Sequence, residues 1–228
     1  MEELTSADAR EKAVETLIAT AIDICRRRYG DNGFSGESYR AYHNAVHAQE
    51  VLESATQIGQ LALQKGRIDA NELLLVRIAA PFHDAEYSLG PSLNEDESAE
   101  IAATQVLQTG QFSEDEVRRV KGAITATKVH AENGVLVQEP TGDYISQIIC
   151  DSDWSKFGAS FELFWSRSLD FLRETEKTDT PTPERIKSFA GEQLLLLKSH
   201  SFYTAEAKLL FPHKADNIAR IEQIALGS

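Results

Sequence analysis

The stretch Tyr42-His43-Asn44-Ala45-Val46-His47 places two of the chain's six histidines four residues apart. In a helix over 38–64, residues four apart share one face, so both imidazoles would project the same way. Imidazole is the commonest metal ligand and the side chain best suited to proton transfer near neutral pH. Taken alone, the pair reads equally as a solvated or hydrogen-bonded pair. His83, Asp84 and Asp151 add to it, each on or just after a strongly apolar stretch that would carry it toward a shared core. With His47 they offer two imidazoles and two carboxylates, a mixed nitrogen and oxygen set suited to one divalent ion, Mn, Fe, Co, Zn or Mg. Such a site lowers the pKa of a bound water and supplies a nucleophile at neutral pH.

The elements that must position these residues are helical. Val14, Leu17, Ile18, Ala21, Ile22 and Cys25 recur at helical spacing in the first segment, which Gly30 stops. Asp69 with Glu72, Ser92 with Glu95 and Ser113 with Glu116 each fit the capping box that opens a helix. The run from Leu73 to Ala80 is apolar nearly all round, which predicts a buried central helix, broken or kinked at Pro81 just before His83-Asp84. The helix opened by Ser113 is predicted to run to about His130, and another to cover about 144–151. Thr182-Pro183 supplies an N-cap and first turn for a later helix, and Pro212 interrupts the last helical stretch. Val135-Leu136-Val137 is the one strand candidate. The prediction is an all-α single domain, 1–228, of roughly eight to ten helices, with a core over about 38–160 and the helices of 161–228 packed on it.

Composition narrows the function classes. Among 228 residues the net charge is −13, spread along the chain, and such a surface repels long nucleic acid and anionic membranes. No apolar run approaches the roughly 20 residues that span a bilayer. Cys25 and Cys150 form no CxxC, so thiolate metal sites are excluded and a reducing, cytoplasmic setting is expected. Asn44 stands where a zincin protease needs glutamate, and P-loop, GxGxxG and GxSxG motifs are absent.

The blocks His47, His83-Asp84 and Asp151 resemble the H…HD…D signature of the HD-domain metal-dependent phosphohydrolases, particularly their bacterial predicted-phosphohydrolase branch. The likeness extends to Phe82 and Tyr87 beside His83-Asp84, Asn94-Glu95 with Ser98-Ala99, Thr127 with His130, Asp153 with Gly158, and Phe202-Tyr203 with Ala215 and Asn217. It spans about 40–220. Tyr42-His43-Asn44-x-x-His47 is also similar to a motif of the cyclic nucleotide phosphodiesterases, which implies His43 as general acid and His47 as metal ligand. Ala85-Glu86-Tyr87 offers no further histidine where those enzymes have one. Trp154 and Lys156 stand where the nearer branch has aliphatic residues.

The resemblance thus implies a cytoplasmic phosphohydrolase with one divalent metal, acting on a small phosphorylated compound, a nucleotide foremost. Glu95 reads as a base or water-orienting carboxylate, or as the cap residue already described. His130 reads as a catalytic contact to phosphate, or as a histidine at a helix C-terminus. Asn44, Lys128, Lys156 and Arg40 are the candidates for substrate binding, the three basic residues against the alternative that they lie on the surface. Asp153 reads as a helix-start residue, and His200 and His213 as structural. Two other functions stay open: a helical module that binds a nucleotide or regulates without cleaving, and a structural interaction protein. Oligomeric state has no signal in the sequence.

Overall fold

The computed structural model describes residues 6–31, 36–38, 40–90, 93–132, 135–140 and 142–227. These residues form an all-α domain of ten helices with one two-stranded hairpin. None of the helices is long and apolar enough to cross a membrane.

Helix α1 (Ser6–Tyr29) buries Val14, Leu17, Ala21 and Cys25 and carries three arginines in its last turn, where positive charge complements the helix dipole. α2 (Ala45–Gln64) starts later than the sequence predicts. Asn44 is its N-cap, with Oδ1 accepting from the backbone of Val46 at 2.9 Å and of His47 at 3.4 Å. α3 (Ala70–Phe82) opens with the predicted Asp69–Glu72 capping box and is buried along Leu75, Val76, Ile78, Ala79, Ala80 and Phe82. Pro81 lies in its last turn. Lacking an N–H, it ends the regular ladder, and the chain tightens into three-residue bonds, His83 N to Ala80 O and Ala85 N to Phe82 O.

α4 (Asn94–Gln108) begins after Leu93, which makes no side-chain cap. Glu95 is therefore not the third residue of a capping box; Ser92, the other half of that expectation, lies outside the described residues. α5 (Glu114–Thr125) has the predicted Ser113–Glu116 box but ends before His130. Instead β1 (Val129–Glu132) pairs antiparallel with β2 (Val135–Gln138), and His130 sits on a strand opposite Val137. Glu132 faces Val135 across Asn133-Gly134, the dipeptide most favoured between hairpin strands.

α6 (Tyr144–Asp153) runs two residues beyond its predicted end, followed by a 3-10 turn at Ser155–Gly158. α7 (Phe161–Glu176), α8 (Pro183–Ser199), α9 (Ala205–Leu210) and α10 (Lys214–Leu226) complete the chain, with Thr182 and Thr204 as N-caps of α8 and α9. One apolar cluster joins α1 to α6 and takes in Phe202 and Ala207 from the α9 region. A second holds Phe157, Phe164, Ala190, Leu197 and Ile221, so α7, α8 and α10 form a layer of their own around the 3-10 turn. Each fully buried side chain of this size contributes roughly 1.5–3 kcal/mol. Cys25 and Cys150 are both buried free thiols.

Gly158 marks the seam between the two clusters. A Cβ there would lie 2.1 Å from the Phe211 carbonyl oxygen, and Gly158 O accepts from His213 N at 3.0 Å. Asn217 Nδ2 donates to Phe157 O and Ala159 O on either side. Gly158→Ala should therefore lower stability by about 2–3 kcal/mol, as forced overpacking does, seen as a drop in the denaturation midpoint.

His200 packs against Trp154, Phe157 and Phe202, as a structural histidine would. Burial, with the charge of Lys214, pushes its pKa down from 6.5 to about 3. The unfolded chain takes up this proton as pH falls through about 6.5 while the folded chain does not until about 3, so stability is lost across that window. His200→Phe should flatten the decline in Tm measured between about pH 7 and pH 4; an unchanged slope would show that His200 does not contribute to it.

Candidate active site

Three helices deliver polar side chains to one buried point beneath a pocket. The first turn of α2 brings His47, the end of α3 brings His83 and Asp84, and the last residue of α6 brings Asp153. His47 Nε2 lies 3.3 Å from His83 Nε2, 3.4 Å from Asp84 Oδ2 and 3.2 Å from Asp153 Oδ1. His83 Nε2 lies 3.0 Å from Asp84 Oδ2 and 3.6 Å from Asp153 Oδ1. Donors about 2.1 Å from one cation stand about 3.0 Å apart at a right angle and about 3.4 Å apart at the tetrahedral angle. Four of the five separations fall in that range and the fifth, His83 to Asp153, lies just beyond it, so the donor set fits a single small divalent ion with His47, His83 and Asp84 as its tightest part.

Charge points the same way. Burial alone would lower the pKa of His47, but hydrogen bonds to Asp153 and Asp84 raise it; for His83, the charge of Asp84 lifts it well above the usual imidazole range against the same burial. Burial would raise Asp84 and Asp153, yet the two imidazoles hold both carboxyls well below the carboxylate range. The carboxylates thus call for two positive charges, which two imidazolium protons or one divalent ion can supply. The nitrogen best suited to a metal is also preset. His83 Nδ1 donates to Ala80 O at 2.7 Å, which leaves Nε2 as the lone-pair donor toward the cluster. The Pro81 turn therefore ends α3 and orients a ligand with the same carbonyl.

Asp151 is not in this cluster. Its oxygens accept from Tyr203 N at 2.8 Å, Thr204 N at 2.8 Å and Thr204 Oγ1 at 2.7 Å, so it ties α6 to the start of α9. Burial raises its pKa against these bonds. Residues two apart on a helix point to nearly opposite faces, so only one of Asp151 and Asp153 can reach the histidines. Asp153 takes that place. It ends a helix rather than starting one, and its Oδ2 accepts from Gln138 Nε2 at 2.7 Å. Gln138 also donates to Thr127 O, and the Tyr203 hydroxyl donates to Gln138 O.

His43 lies just outside α2, and its ring meets that of His47 edge to face at 5.8 Å. Its Nδ1 is 2.6 Å from Glu174 Oε1, and the backbone N–H groups of Tyr42 and His43 both donate to Glu174 Oε2. Burial would raise Glu174, but its bond to His43 brings it below the ordinary range, consistent with a carboxylate. Tyr87 stacks on His43 at 3.6 Å, 15° from parallel. Nδ1 is thus committed, leaving Nε2 to exchange a proton with a group in the pocket that His43 lines.

Of the remaining sequence candidates, Glu95 and Lys156 line the pocket. Glu95 is buried, and its Oε2 has no hydrogen-bond partner among the described residues; burial, then the charges of Asp84 and Asp153, raise its pKa. Lys156 donates to Tyr42 Oη at 2.7 Å and sits 4.0 Å above the Tyr42 ring; burial lowers its pKa to about 8. The others are engaged elsewhere. Asn44 is the α2 cap, with Nδ2 donating to Arg40 O and Ala41 O. Arg40 braces Tyr87 through its carbonyl at 3.1 Å, Lys128 pairs with Asp96 at 2.6 Å, and His130 is partly exposed beside Glu139 at 3.3 Å. Other motif residues fix the loop after Asp84. Asn94 Oδ1 accepts from Leu89 N and Gly90 N, and the Ser98 hydroxyl accepts from Glu86 N.

No protein-family model matches the chain, and no curated protein matches it in sequence. Solved structures do match in fold. YpgQ of Bacillus subtilis, solved in complex with ADP, aligns with a TM-score of 0.62 at 15% identity, over 96% of this chain and 97% of that one. The phosphodiesterase domain of the Salpingoeca rosetta rhodopsin phosphodiesterase aligns with a TM-score of 0.63 at 16% identity, over 99% and 90%. The likeness is one of fold. Both neighbours span nearly all of this chain.

The two aspartates should separate cleanly on substitution. Asp153→Asn is expected to lose uptake of a divalent ion, and to cost stability as well because the two imidazoles are left without its charge. Asp151→Asn should retain metal and lose about 1–3 kcal/mol, because its partners are left in a buried place. Metal content and a denaturation curve on each variant check both.

Proposed function

We propose that this protein is a metal-dependent phosphohydrolase in which His47, His83, Asp84 and Asp153 hold one divalent ion. The observation that supports this most directly is the convergence of four donor atoms from three helices, with the imidazole nitrogens 3.0–3.6 Å from the carboxylate oxygens. A divalent ion at such a centre polarises a phosphoryl oxygen and lowers the pKa of water. His43 protonates the leaving oxygen from Nε2, with Glu174 fixing the ring and balancing its charge from the Nδ1 side. Glu95, a buried carboxylate with one unpartnered oxygen, orients water or takes its proton. Lys156 supplies positive charge to the substrate phosphate. Asn44, Arg40, Lys128 and His130 have no direct part, since their partners place them in capping, bracing or surface pairs. The substrate is a small phosphorylated compound, and the fold neighbour solved with ADP accords with a nucleotide.

The test is metal analysis with a phosphatase and phosphodiesterase screen in Mn on the same sample. Wild-type protein should carry near-stoichiometric divalent metal, and Asp84→Ala should lose both metal and hydrolysis. His43→Ala should keep the metal and lower kcat by about 10²–10⁴. A folded protein that takes up no metal and is indifferent to Mn would sink the reading.

A further inference from the structure

The pocket above the centre encloses about 450 Å³, and its chemistry constrains what can enter. Lys156 is the one Lys or Arg side chain lining it among the described residues, alongside the imidazole of His43. Four carboxylates line it as well: Asp84, Asp153, Glu95 and Glu192. A divalent ion offsets the first two, Lys156 offsets one more, Glu192 is already paired with Arg185 and His43 with Glu174, so the site has little positive charge left over. A diphosphate or triphosphate chain brings about two or more further negative charges into a partly closed cavity. Substrates of that kind are normally met by several basic groups, and this lining offers a single lysine.

The rest of the wall is aromatic and aliphatic. Phe157 and Phe189 are buried in it, Trp154 and Phe171 are half-buried, and Leu195 stands exposed at its edge. Phe189 and Leu195 come from α8 and Phe171 from α7, so the C-terminal layer supplies the apolar wall. We infer that the substrate is a phosphate ester with a single phosphoryl group and a bulky apolar or aromatic substituent, rather than a nucleoside diphosphate or triphosphate. The phosphoryl group meets the metal centre and Lys156, while the substituent lies against Trp154, Phe171 and Phe189. Stacking and burial of one ring there favour binding by more than an order of magnitude over a methyl group. The inference rests on the hydrolase reading only for where the phosphoryl group sits.

Binding and turnover are measured separately on Mn-loaded wild-type protein. Benzylphosphonate, methylphosphonate and α,β-methylene-ADP serve as probes by calorimetry; p-nitrophenyl phosphate, bis(p-nitrophenyl) phosphate and ADP serve as substrates. Benzylphosphonate should bind about tenfold or more tighter than either other probe. Phe189→Leu should shrink its advantage over methylphosphonate, whereas Lys156→Met should weaken both phosphonates alike; denaturation curves confirm that the variants fold. The nitrophenyl esters should be hydrolysed with higher kcat/KM than ADP. If the methylene diphosphate binds as tightly as benzylphosphonate, or no probe binds, the inference is overturned. If the binding order holds and nothing is hydrolysed, the inference stands and the hydrolase reading fails.

Discussion

Two carboxylates and two imidazoles share a space almost without water, and each would be unfavourable there alone. Desolvation penalises every charged form, so the cluster is stable only because its members supply one another with opposite charge. Much of the fold serves that condition. α3 is apolar nearly all round because it runs through the middle of the domain to reach the centre. α2 and α6 flank it, and the loop after Asp84 is pinned by Arg28, Tyr29, Asn94 and Ser98. The pocket opens above the place where the polar atoms of His47, His83, Asp84 and Asp153 face each other.

Around the centre the supporting bonds are long in sequence and short in space. Gln138 reaches Asp153 from the hairpin, and Glu174 reaches the Tyr42–His43 backbone and ring from α7. The C-terminal layer is therefore part of the site. It holds the proposed acid from behind and lines the pocket with Phe171 and Phe189. Its attachment at Gly158 and Asn217 lies only a few residues beyond Asp153, so the seam and the centre share one segment of backbone.

Local signals were legible in the sequence, and relations between distant segments were not. The Asp69 and Ser113 capping boxes, the Thr182-Pro183 start and the buried α3 are set by residues within a turn of one another. Placing 43 and 47 on one helical face failed because Asn44 caps the helix, a role its residue type could have signalled. Only the second strand of the hairpin was anticipated, at Val135-Leu136-Val137; β1 has a single β-branched residue, and strands of four residues are too short for periodicity to show. Choosing between Asp151 and Asp153 required the rotation of α6 about its axis, which depends on where the helix ends. Glu174 and Gln138 had no signal at all, since an isolated Glu or Gln on an amphipathic stretch is normally solvated.

The bonds of Asp151 to residues 203 and 204 also bear on how the protein is made. A chain emerging in order presents His47, His83, Asp84 and Asp153 before Tyr203 and Thr204 exist to anchor the helix that carries Asp153. The helix that carries Asp153 has one face docked only when the start of α9 arrives to fill the Asp151 oxygens. A nascent chain therefore holds all four donors without the arrangement that makes them a centre, and that arrangement is completed late in synthesis.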